Sequence, residues 1–334
     1  MKKSTMAVLL ALAAVLIAAG LVLESAPGFS GGTFETLYTG DESPVREVRA
    51  ELRNISLRVY VNQNGQGPEV YGSGRAAKLV SAVFEDGTLL LTEREPSGLA
   101  RLFPPGSGDD YAAVWLPYDF AGTLTLDMGS GELFLSGLDL SGASALLTAS
   151  SGEVSVYDCR LGGLGIAAGS GDVWMGDLLV PGGGVSVTSL SGRISIGSGE
   201  MGSLTVHAGS GGLWADRLRA ETAEILGSSG AVSLSSCDIG ELTTETLSGG
   251  IYIDRIRAGN LALTAGSGNV TLAGGEADAV SVTTGSGNIS LDRFRADRAD
   301  LSAQSGDIGG TLSGRTGEPE VRCSAGSGDV SLIW

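Results

Sequence analysis

The sequence predicts an all-β protein: a right-handed, single-chain parallel β-helix (solenoid) of about 10–11 coils, with an antiparallel β N-terminal cap and an N-terminal transmembrane helix. The main observation is a Ser-Gly pair, followed in almost every case by x-φ-x-φ, where φ is apolar. Eleven Ser-Gly pairs between residues 130 and 332 belong to this motif, at spacings of 19 to 22 residues. A fixed period near 20 residues is the signature of a repeat protein whose units stack on one another.

Two strands per coil follow from the apolar residues around each motif glycine, which we number position 0. Positions +2 and +4 are apolar almost throughout, as in Val270 and Leu272, and positions −7 and −5 repeat the pattern, as in Leu261 and Leu263. Alternation with a period of two is typical of strands that bury one face. We therefore expect these four positions to line the lumen of residues 123–334, the predicted β-helix domain.

The Ser-Gly pair is predicted to lie at a corner, because the inward phase shifts by an odd number of residues between positions −3 and +2. We expect the glycine there to take a positive φ, which a residue without a Cβ adopts freely. Coils of parallel strands stack about 4.8 Å apart, and the crossovers in such sheets are right-handed in nearly all cases. An irregular β-sandwich is the alternative, and the strict register disfavours it.

The first 26 residues are predicted to form a signal-anchor helix that crosses the membrane. Residues 6–23 carry no charge and follow Lys2 and Lys3, and a helix of that length spans about 27 Å. The lysines would keep the N-terminus inside, so the chain would be a single-pass cell-membrane protein with an extracytoplasmic C-terminal domain. Secretion after signal cleavage is the alternative. Residues 27–44, with their glycines and prolines, are predicted to be a linker.

Residues 45–122 lack the repeat and are predicted to form the antiparallel β cap. Apolar residues alternate over residues 55–61, and Asp86-Gly87 lies between two strand-like runs. Asp-Gly in that setting is a strong hairpin signal. Solenoids need an atypical terminal unit that covers the end of the stack, so we expect this segment to cover the first coil.

The arrangement resembles a bacterial putative-adhesin family, a domain of unknown function with Gly-Ser-Gly-Asp β-solenoid repeats. The similarity rests on the Gly-Ser-Gly-Asp/Asn-Val-x-Leu repeat at residues 266–272 and 326–332, on Asp86-Gly87-Thr88-Leu89, and on Val114-Trp115-Leu116-Pro117. It extends over residues 45–334. The resemblance implies a β-solenoid fold and a surface role, and it carries no catalytic residue over to this chain.

Composition and charge argue against an enzyme, a nucleic-acid-binding protein or a metalloprotein. The net charge is −17 and no basic cluster occurs, which is the reverse of a nucleic-acid footprint. The single histidine, His207, lies at an outward position without a catalytic partner nearby in sequence, so neither catalysis nor a cofactor is predicted. Cys159, Cys237 and Cys323 fall at inward positions of different coils and are predicted to stay unpaired. A cation beside the acidic residues at position +1 of the first coils is a minor alternative.

Position +3 points outward and carries an aromatic residue in alternate coils, with serine or threonine between. The four aromatic residues are Phe134, Trp174, Trp214 and Tyr252. Stacked coils would bring neighbouring rings to about 9.6 Å from one another, twice the strand spacing. Exposed apolar patches commonly mark contact surfaces. We therefore predict a binding face for a cell-wall glycan or an envelope protein. Rings that only cover the neighbouring serines are the alternative.

A charged motif, Asp-Arg-φ-Arg-Ala, recurs every 38 residues, or two coils, at residues 216–220, 254–258 and 292–296. Because these charges flank an inward apolar residue, we interpret the motif as a network of surface ion pairs along one corner. No ligand is needed to explain it.

Two functions are therefore open. The first is a non-enzymatic extracytoplasmic surface protein, an adhesin-like binding module that uses the aromatic and serine face and is held to the membrane by its N-terminal helix. The alternative is a structural envelope scaffold that self-assembles end to end, because residues 331–334 end on a strand of the last repeat, and an open strand edge templates association. We expect instead that Ile333 and Trp334 fold over the last coil as a plug, because Trp334 is large and terminal, and that this plug prevents such association.

Overall fold

The computed structural model describes residues 34–40, 44–62, 67–95 and 110–334. Before the repeats, the described chain forms β1 (Phe34–Thr39), β2 (Glu47–Leu52), β3 (Ser56–Asn62), β4 (Glu69–Ser73), α1 (Ala76–Leu79), β5 (Val80–Glu85), β6 (Thr88–Glu93) and β7 (Tyr111–Pro117). The repeats contribute β8 (Thr123–Met128), β9 (Leu133–Ser136), β10 (Asp139–Ala149), β11 (Val154–Ala168), β12 (Val173–Ser189), β13 (Ile194–Ile196), β14 (Gly199–Ala208), β15 (Leu213–Asp216), β16 (Leu218–Gly227), β17 (Val232–Ser235), β18 (Asp238–Thr246), β19 (Ile251–Ala265), β20 (Val270–Thr284), β21 (Ile289–Ala303), β22 (Ile308–Ser313), β23 (Glu320–Ala325) and β24 (Val330–Ile333).

The repeats form an all-β parallel solenoid of about 11 coils, which confirms that part of the predicted architecture. Each strand pairs in parallel with the equivalent strand one coil later, as Leu261 does with Val280 and Val270 with Ile289. Both of these pairs join residues 19 positions apart, the period of the regular repeats. Stacked coils therefore bring equivalent sequence positions into columns along the rod.

The four positions predicted to line the lumen do so. Val270 and Leu272, at positions +2 and +4, are buried, as are Leu261 and Leu263 at positions −7 and −5. The inward side chains join into one continuous hydrophobic core along the rod. Burial contributes about 25 cal/mol for each Å² of apolar surface removed from water, so the filled lumen is the main stabilising element of the fold.

The antiparallel cap predicted for residues 45–122 is wrong in part. β2 pairs in parallel with β8 and β6, and β3 pairs in parallel with β9 and β7, so both strands extend the solenoid stack beyond the first repeat. Among the described strands, antiparallel pairing is confined to β1–β4, β4–β7 and β5–β6. The hairpin at Asp86-Gly87 forms as predicted, with a positive φ at both residues. A hairpin signal is local, whereas parallel pairing joins distant segments, so the sequence pattern did not indicate it.

The N-terminal predictions meet the described chain only at its edge. Part of the predicted linker, residues 27–44, is a strand, because β1 lies within it and pairs with β4. The predicted signal-anchor helix at residues 1–26 lies outside the described residues. Within the described ranges, no helix is both long enough and apolar enough to span a bilayer.

The motif glycines are required for a different reason from the one predicted, because none of them has a positive φ. A Cβ on Gly249 would overlap the carbonyl oxygen of Gly230 in the preceding coil, and a Cβ on Gly268 would overlap that of Gly249. Successive backbones thus approach too closely here for any side chain. We call this set the glycine column: Gly131, Gly152, Gly171, Gly192, Gly211, Gly230, Gly249, Gly268, Gly287, Gly306 and Gly328.

The corner that takes a left-handed backbone lies six residues later, at position +6. Gly137 and Gly274 occupy it in two coils. In six other coils it holds residues with a Cβ, at φ values of 50° to 55°: Asp158, Asp177, Arg217, Ser236, Arg255 and Arg293. This conformation costs an L-residue roughly 1–2 kcal/mol, so the strands on either side must impose it.

Side chains at position +1 join successive coils. Asn269 Oδ1 accepts a hydrogen bond from the backbone N–H of Asn288 at 2.9 Å. Asn288 Oδ1 accepts one from Asp307 N, and Asp307 Oδ1 accepts one from Asp329 N, again at 2.9 Å. Asparagine and aspartate readily satisfy backbone groups at turns in this way. The Asp/Asn of the repeat motif is therefore explained by its backbone contact with the next coil.

All three cysteines are free thiols. Cys159 and Cys237 are buried at position +7, and Cys323 is half-buried in the last coil. Burial raises the pKa of the Cys159 thiol to about 11. The buried thiols therefore stay protonated at neutral pH and pack as small apolar side chains.

Thr244 interrupts the apolar lumen at position −5. Its side chain is fully buried, and its hydroxyl has no hydrogen-bond partner. Because an unsatisfied buried hydroxyl is destabilising, Thr244→Val should raise the free energy of unfolding by about 1 kcal/mol in urea denaturation. Thr246→Val is the matched control and should lower that free energy, since Thr246 Oγ1 donates to Gly249 O at 2.6 Å. Equal effects of the two substitutions would contradict this explanation.

Candidate binding face

The four predicted aromatic residues lie in one column on the outward side of position +3. Backbone pairing links its members in the order Phe134, Ser155, Trp174, Ser195, Trp214, Ser233, Tyr252. Rings therefore recur at every second coil, about 9.6 Å apart along the rod. We call this set the aromatic column.

Exposure divides the aromatic column into two halves. Trp214 and Tyr252 are 44% and 47% exposed, whereas Phe134 and Trp174 are half-buried. Ser155, between Phe134 and Trp174, is buried to 8% exposure, as expected if the rings on either side of it cover its side chain. In the first half of the column the rings thus cover the neighbouring serine, which was the alternative to a binding face. In the second half the rings are exposed to solvent.

Further aromatic residues lie near the column, and the sequence reasoning missed them. Tyr157, at position +5, is exposed, and its ring lies against Gly176 in the next coil, where a Cβ would meet it at 2.9 Å. Tyr60 and Trp115 stack on each other with ring centroids 4.9 Å apart. Position +5 has the same outward phase as position +3, so strand alternation contained the signal for Tyr157. Tyr60 and Trp115 precede the repeats, where no register predicts their position.

Ion pairs border the exposed half of the aromatic column. Asp216 pairs with Arg217 at 2.7 Å, and Asp254 pairs with Arg255 at 2.9 Å. Each pair begins two residues after an exposed ring, because position +5 follows position +3 on the same outward side of the strand. The two rings and the two ion pairs therefore share one surface.

The predicted network of surface ion pairs forms at position +8. Arg219 lies 3.9 Å from both Glu200 and Asp238. Arg257 lies 4.0 Å from Asp238 and 3.4 Å from Glu276, which also pairs with Arg295 at 3.3 Å. Acidic and basic side chains thus alternate over six coils. Exposed pairs contribute at most about 1 kcal/mol each, so this ladder reinforces the corner rather than forming a ligand site.

An open groove of about 480 Å³, which the sequence reasoning also missed, lies on another side of the rod. Leu190 and Leu247 are exposed and border it, with Leu226 and His207 among the residues that line it. Both bordering leucines occupy position −2, which otherwise holds only glycine, serine or glutamine in the repeats. Leucine at position −2 was therefore the sequence feature that could have indicated the groove.

His207 is exposed in the groove. Across the described ranges, no group of three or more His, Cys, Asp and Glu side chains is arranged to hold a metal ion. The acidic residues at position +1 include Asp172, whose carboxylate accepts a hydrogen bond from Arg193 N at 2.7 Å. That carboxylate therefore has the same backbone contact as the asparagines further along the rod.

The last coil leaves apolar side chains in solvent. Val330, Ile333 and Trp334 are all exposed. A plug over the end of the lumen would bury Ile333 and Trp334, so that prediction is wrong. Of these three residues only Val330 lies on the inward side of β24, so the lumen at this end of the described rod keeps one exposed apolar side chain.

The stacked coils and the glycine column define the chain as a parallel β-solenoid repeat protein. It belongs to the Toastrack DUF4097 family, whose model matches residues 68–237 and 219–334. This assignment confirms the resemblance to a family of unknown function with β-solenoid repeats. No curated protein sequence matches the chain.

The comparison with solved structures finds several similar proteins. A putative adhesin from Parabacteroides distasonis is 12% identical with a TM-score of 0.32, and the match covers 90% of this chain and 98% of that one. A putative adhesin from Bacteroides fragilis is 13% identical with a TM-score of 0.34, covering 91% and 98%. A putative cell adhesion protein from Clostridium sporogenes is 13% identical with a TM-score of 0.28, covering 67% and 99%.

Proposed function

We propose that this protein is a non-enzymatic, adhesin-like surface protein that binds a cell-wall glycan along its aromatic column. The observation that carries the proposal is the pair of exposed rings, Trp214 and Tyr252, aligned on one strand face. Tryptophan and tyrosine offer large, rigid apolar faces and lose little conformational entropy on binding. Such faces suit the apolar faces of sugar rings.

The shape of the column favours a glycan over a protein partner. The column is one residue wide and runs straight along the rod for six strand spacings, or about 29 Å. A stable protein–protein interface buries about 800 Å² on each partner and needs a broader apolar centre. An extended polymer needs only a narrow track with recurring contacts. An envelope protein as partner remains an outcome that the binding test can reveal.

The proposal includes a location outside the cytoplasm. The uncharged run at residues 6–23, behind Lys2 and Lys3, supports a single membrane anchor with the solenoid on the extracytoplasmic side. Release of the solenoid after signal cleavage is the alternative. Both versions expose the aromatic column to the cell envelope.

Replacing Trp174 and Trp214 together with alanine should weaken binding to an isolated cell-wall fraction about fivefold or more, mainly because the exposed ring of Trp214 no longer stacks on the glycan. Binding is measured by co-sedimentation, and the melting temperature is recorded for each variant. Tyr118→Ala is the matched control, because Tyr118 is an exposed aromatic residue outside the column. Unchanged binding by a folded double variant would refute the role of the column.

A structural scaffold is the second candidate function, and the exposed Val330, Ile333 and Trp334 at the end of the rod favour it. Apolar side chains beside an open strand edge promote end-to-end association of rods. Light scattering would then find dimers or longer assemblies, and deletion of Ile333 and Trp334 would shift them to monomers. A parent chain that is already monomeric would exclude this role.

A further inference from the structure

We infer that the exposed half of the aromatic column is a discrete two-ring site for a neutral, extended polysaccharide. The inference rests on the proposed function and deepens it, because it names the part of the column that binds and the charge of the ligand. The site comprises two rings and two ion pairs: Trp214, Tyr252, Asp216–Arg217 and Asp254–Arg255.

On one flank of the two rings, opposite the ion pairs, the surface is low and uncharged. Position +1 of these three coils, two residues before the column, carries only small residues: Gly212, Ala231 and Gly250. In the first half of the column, the same position carries acidic side chains: Glu132, Glu153 and Asp172. A chain lying across Trp214 and Tyr252 therefore meets no bulky or charged side chain on this flank, and Ser233 lies between the two rings.

The two aspartates are held close to the strand surface. Their side chains are 17% exposed at Asp216 and 23% at Asp254. In the third copy of the motif, where position +3 is Ser290, the side chain of Asp292 is 57% exposed. The carboxylate is thus less exposed in the two copies that carry a ring at position +3 than in the copy that carries a serine.

Each ion pair offers fixed partners for sugar hydroxyls. A carboxylate accepts hydrogen bonds, and a guanidinium donates them in a rigid planar array. Arg255 is fixed further by hydrogen bonds of 3.4 Å to the hydroxyls of Ser235 and Ser236. Two adjacent hydroxyls on one sugar could therefore donate to an aspartate and accept from its arginine while a neighbouring ring stacks on the sugar face.

The charge of the site selects among polysaccharides. Its two aspartates and two arginines cancel, within a chain whose net charge is −17. A polyanion would gain no countercharge here and would be repelled by the protein as a whole. A polycation would favour the acidic flank of Phe134 and Trp174 instead. A neutral polymer meets neither penalty, and its repeating hydroxyls match the repeating ion pairs.

The test uses affinity electrophoresis of the protein with three soluble polymers: hydroxyethyl cellulose as the neutral probe, polygalacturonate as the anionic probe and chitosan as the cationic probe. We expect retardation by hydroxyethyl cellulose. The double variant Trp214→Ala/Tyr252→Ala should bind about tenfold more weakly. Phe134→Ala/Trp174→Ala is the comparison in the covered half of the column and should change affinity less than about twofold.

A second pair of variants keeps the test valid if an alanine variant unfolds. Asp216→Asn/Asp254→Asn preserves side-chain shape, removes both ion pairs and should weaken binding about threefold or more. Asp292→Asn is its matched control, because it alters the same motif where no ring precedes it, and it should leave binding unchanged. Equal effects of the two changes would overturn the assignment of these carboxylates to the site.

The remaining outcomes separate this inference from the proposed function. If Phe134→Ala/Trp174→Ala alone weakens binding, the aromatic column binds glycan but the two-ring site is wrong. If the parent protein binds only polygalacturonate or only chitosan, the neutral class is wrong while a glycan-binding role stands. If the parent binds none of the three polymers but is captured by an envelope protein, both the proposed glycan-binding function and the two-ring polysaccharide site are wrong.

Discussion

Gly249→Ala is expected to lower the free energy of unfolding by about 3–5 kcal/mol, in the range of the most damaging single substitutions. A Cβ at this position would overlap the carbonyl oxygen of Gly230 in the preceding coil. Both groups belong to backbone whose flanking strands are fixed by parallel pairing, so neither coil can move aside cheaply. Denaturant unfolding followed by circular dichroism would measure the loss.

Gly163→Ala is the matched control for this substitution. Gly163 also lies in a stacked coil, but the nearest atom to its Cβ would be Ser144 Oγ at 3.5 Å, which is an ordinary contact. Its stability should change by no more than about 0.5 kcal/mol. A Gly249→Ala variant as stable as this control would mean that neighbouring coils can separate locally and that the glycine column is not a constraint.

Phe294→Ala is the second substitution with a large expected effect, a loss of about 3–5 kcal/mol. Phe294 is the largest fully buried side chain in the described chain and occupies position +7. The preceding coil has Gly275 at that position, so the ring fills the lumen next to a coil that contributes no side chain. Alanine would leave a cavity next to the coil that contains Gly275. Denaturant unfolding followed by circular dichroism would measure the resulting loss of stability.

Phe294→Leu separates the loss of volume from the loss of the aromatic ring. Other coils bury an aliphatic side chain at position +7, such as Leu218 or Ile256, so leucine suits this environment. We expect it to cost less than about 1.5 kcal/mol, because most of the volume is kept. A leucine variant as unstable as the alanine variant would show that ring shape, rather than the filling of space, stabilises this coil.

The coil register could be predicted because stacking brings equivalent positions together. Val270 and Leu263 are buried where the period-two pattern indicated, since one repeat suffices to infer the environment of the others. The role of the motif glycine could not be predicted in the same way. A glycine at a corner suggests a positive φ. Glycine is in fact required because the carbonyl of the preceding coil leaves no room for a Cβ, and that depends on how closely the backbones approach. The parallel pairing of β2 was missed because it joins segments that share no repeat.

The aromatic column could be predicted from phase alone, but the exposure of its rings could not. Phe134 and Trp214 occupy equivalent positions, yet Phe134 is half-buried and Trp214 is well exposed. Exposure depends on ring orientation and on the side chains one coil away, about 4.8 Å along the rod. Tyr157 illustrates the same limit. Its ring lies over Gly176 of the next coil, and the residues next to Tyr157 in the sequence do not indicate that contact.

The alternation of ring-bearing and serine-bearing coils means that the module of growth in this rod is a pair of coils. The Asp-Arg-φ-Arg-Ala motif recurs every 38 residues, and Trp214 and Tyr252 are separated by the same interval. Inserting one such module would add one ring, one ion pair and about 9.6 Å of track without disturbing the register. Inserting a single coil would bring two rings side by side or leave a gap. The rod can thus lengthen in steps of two coils, and under the proposed function the length of polymer that it contacts would be set by the number of these modules.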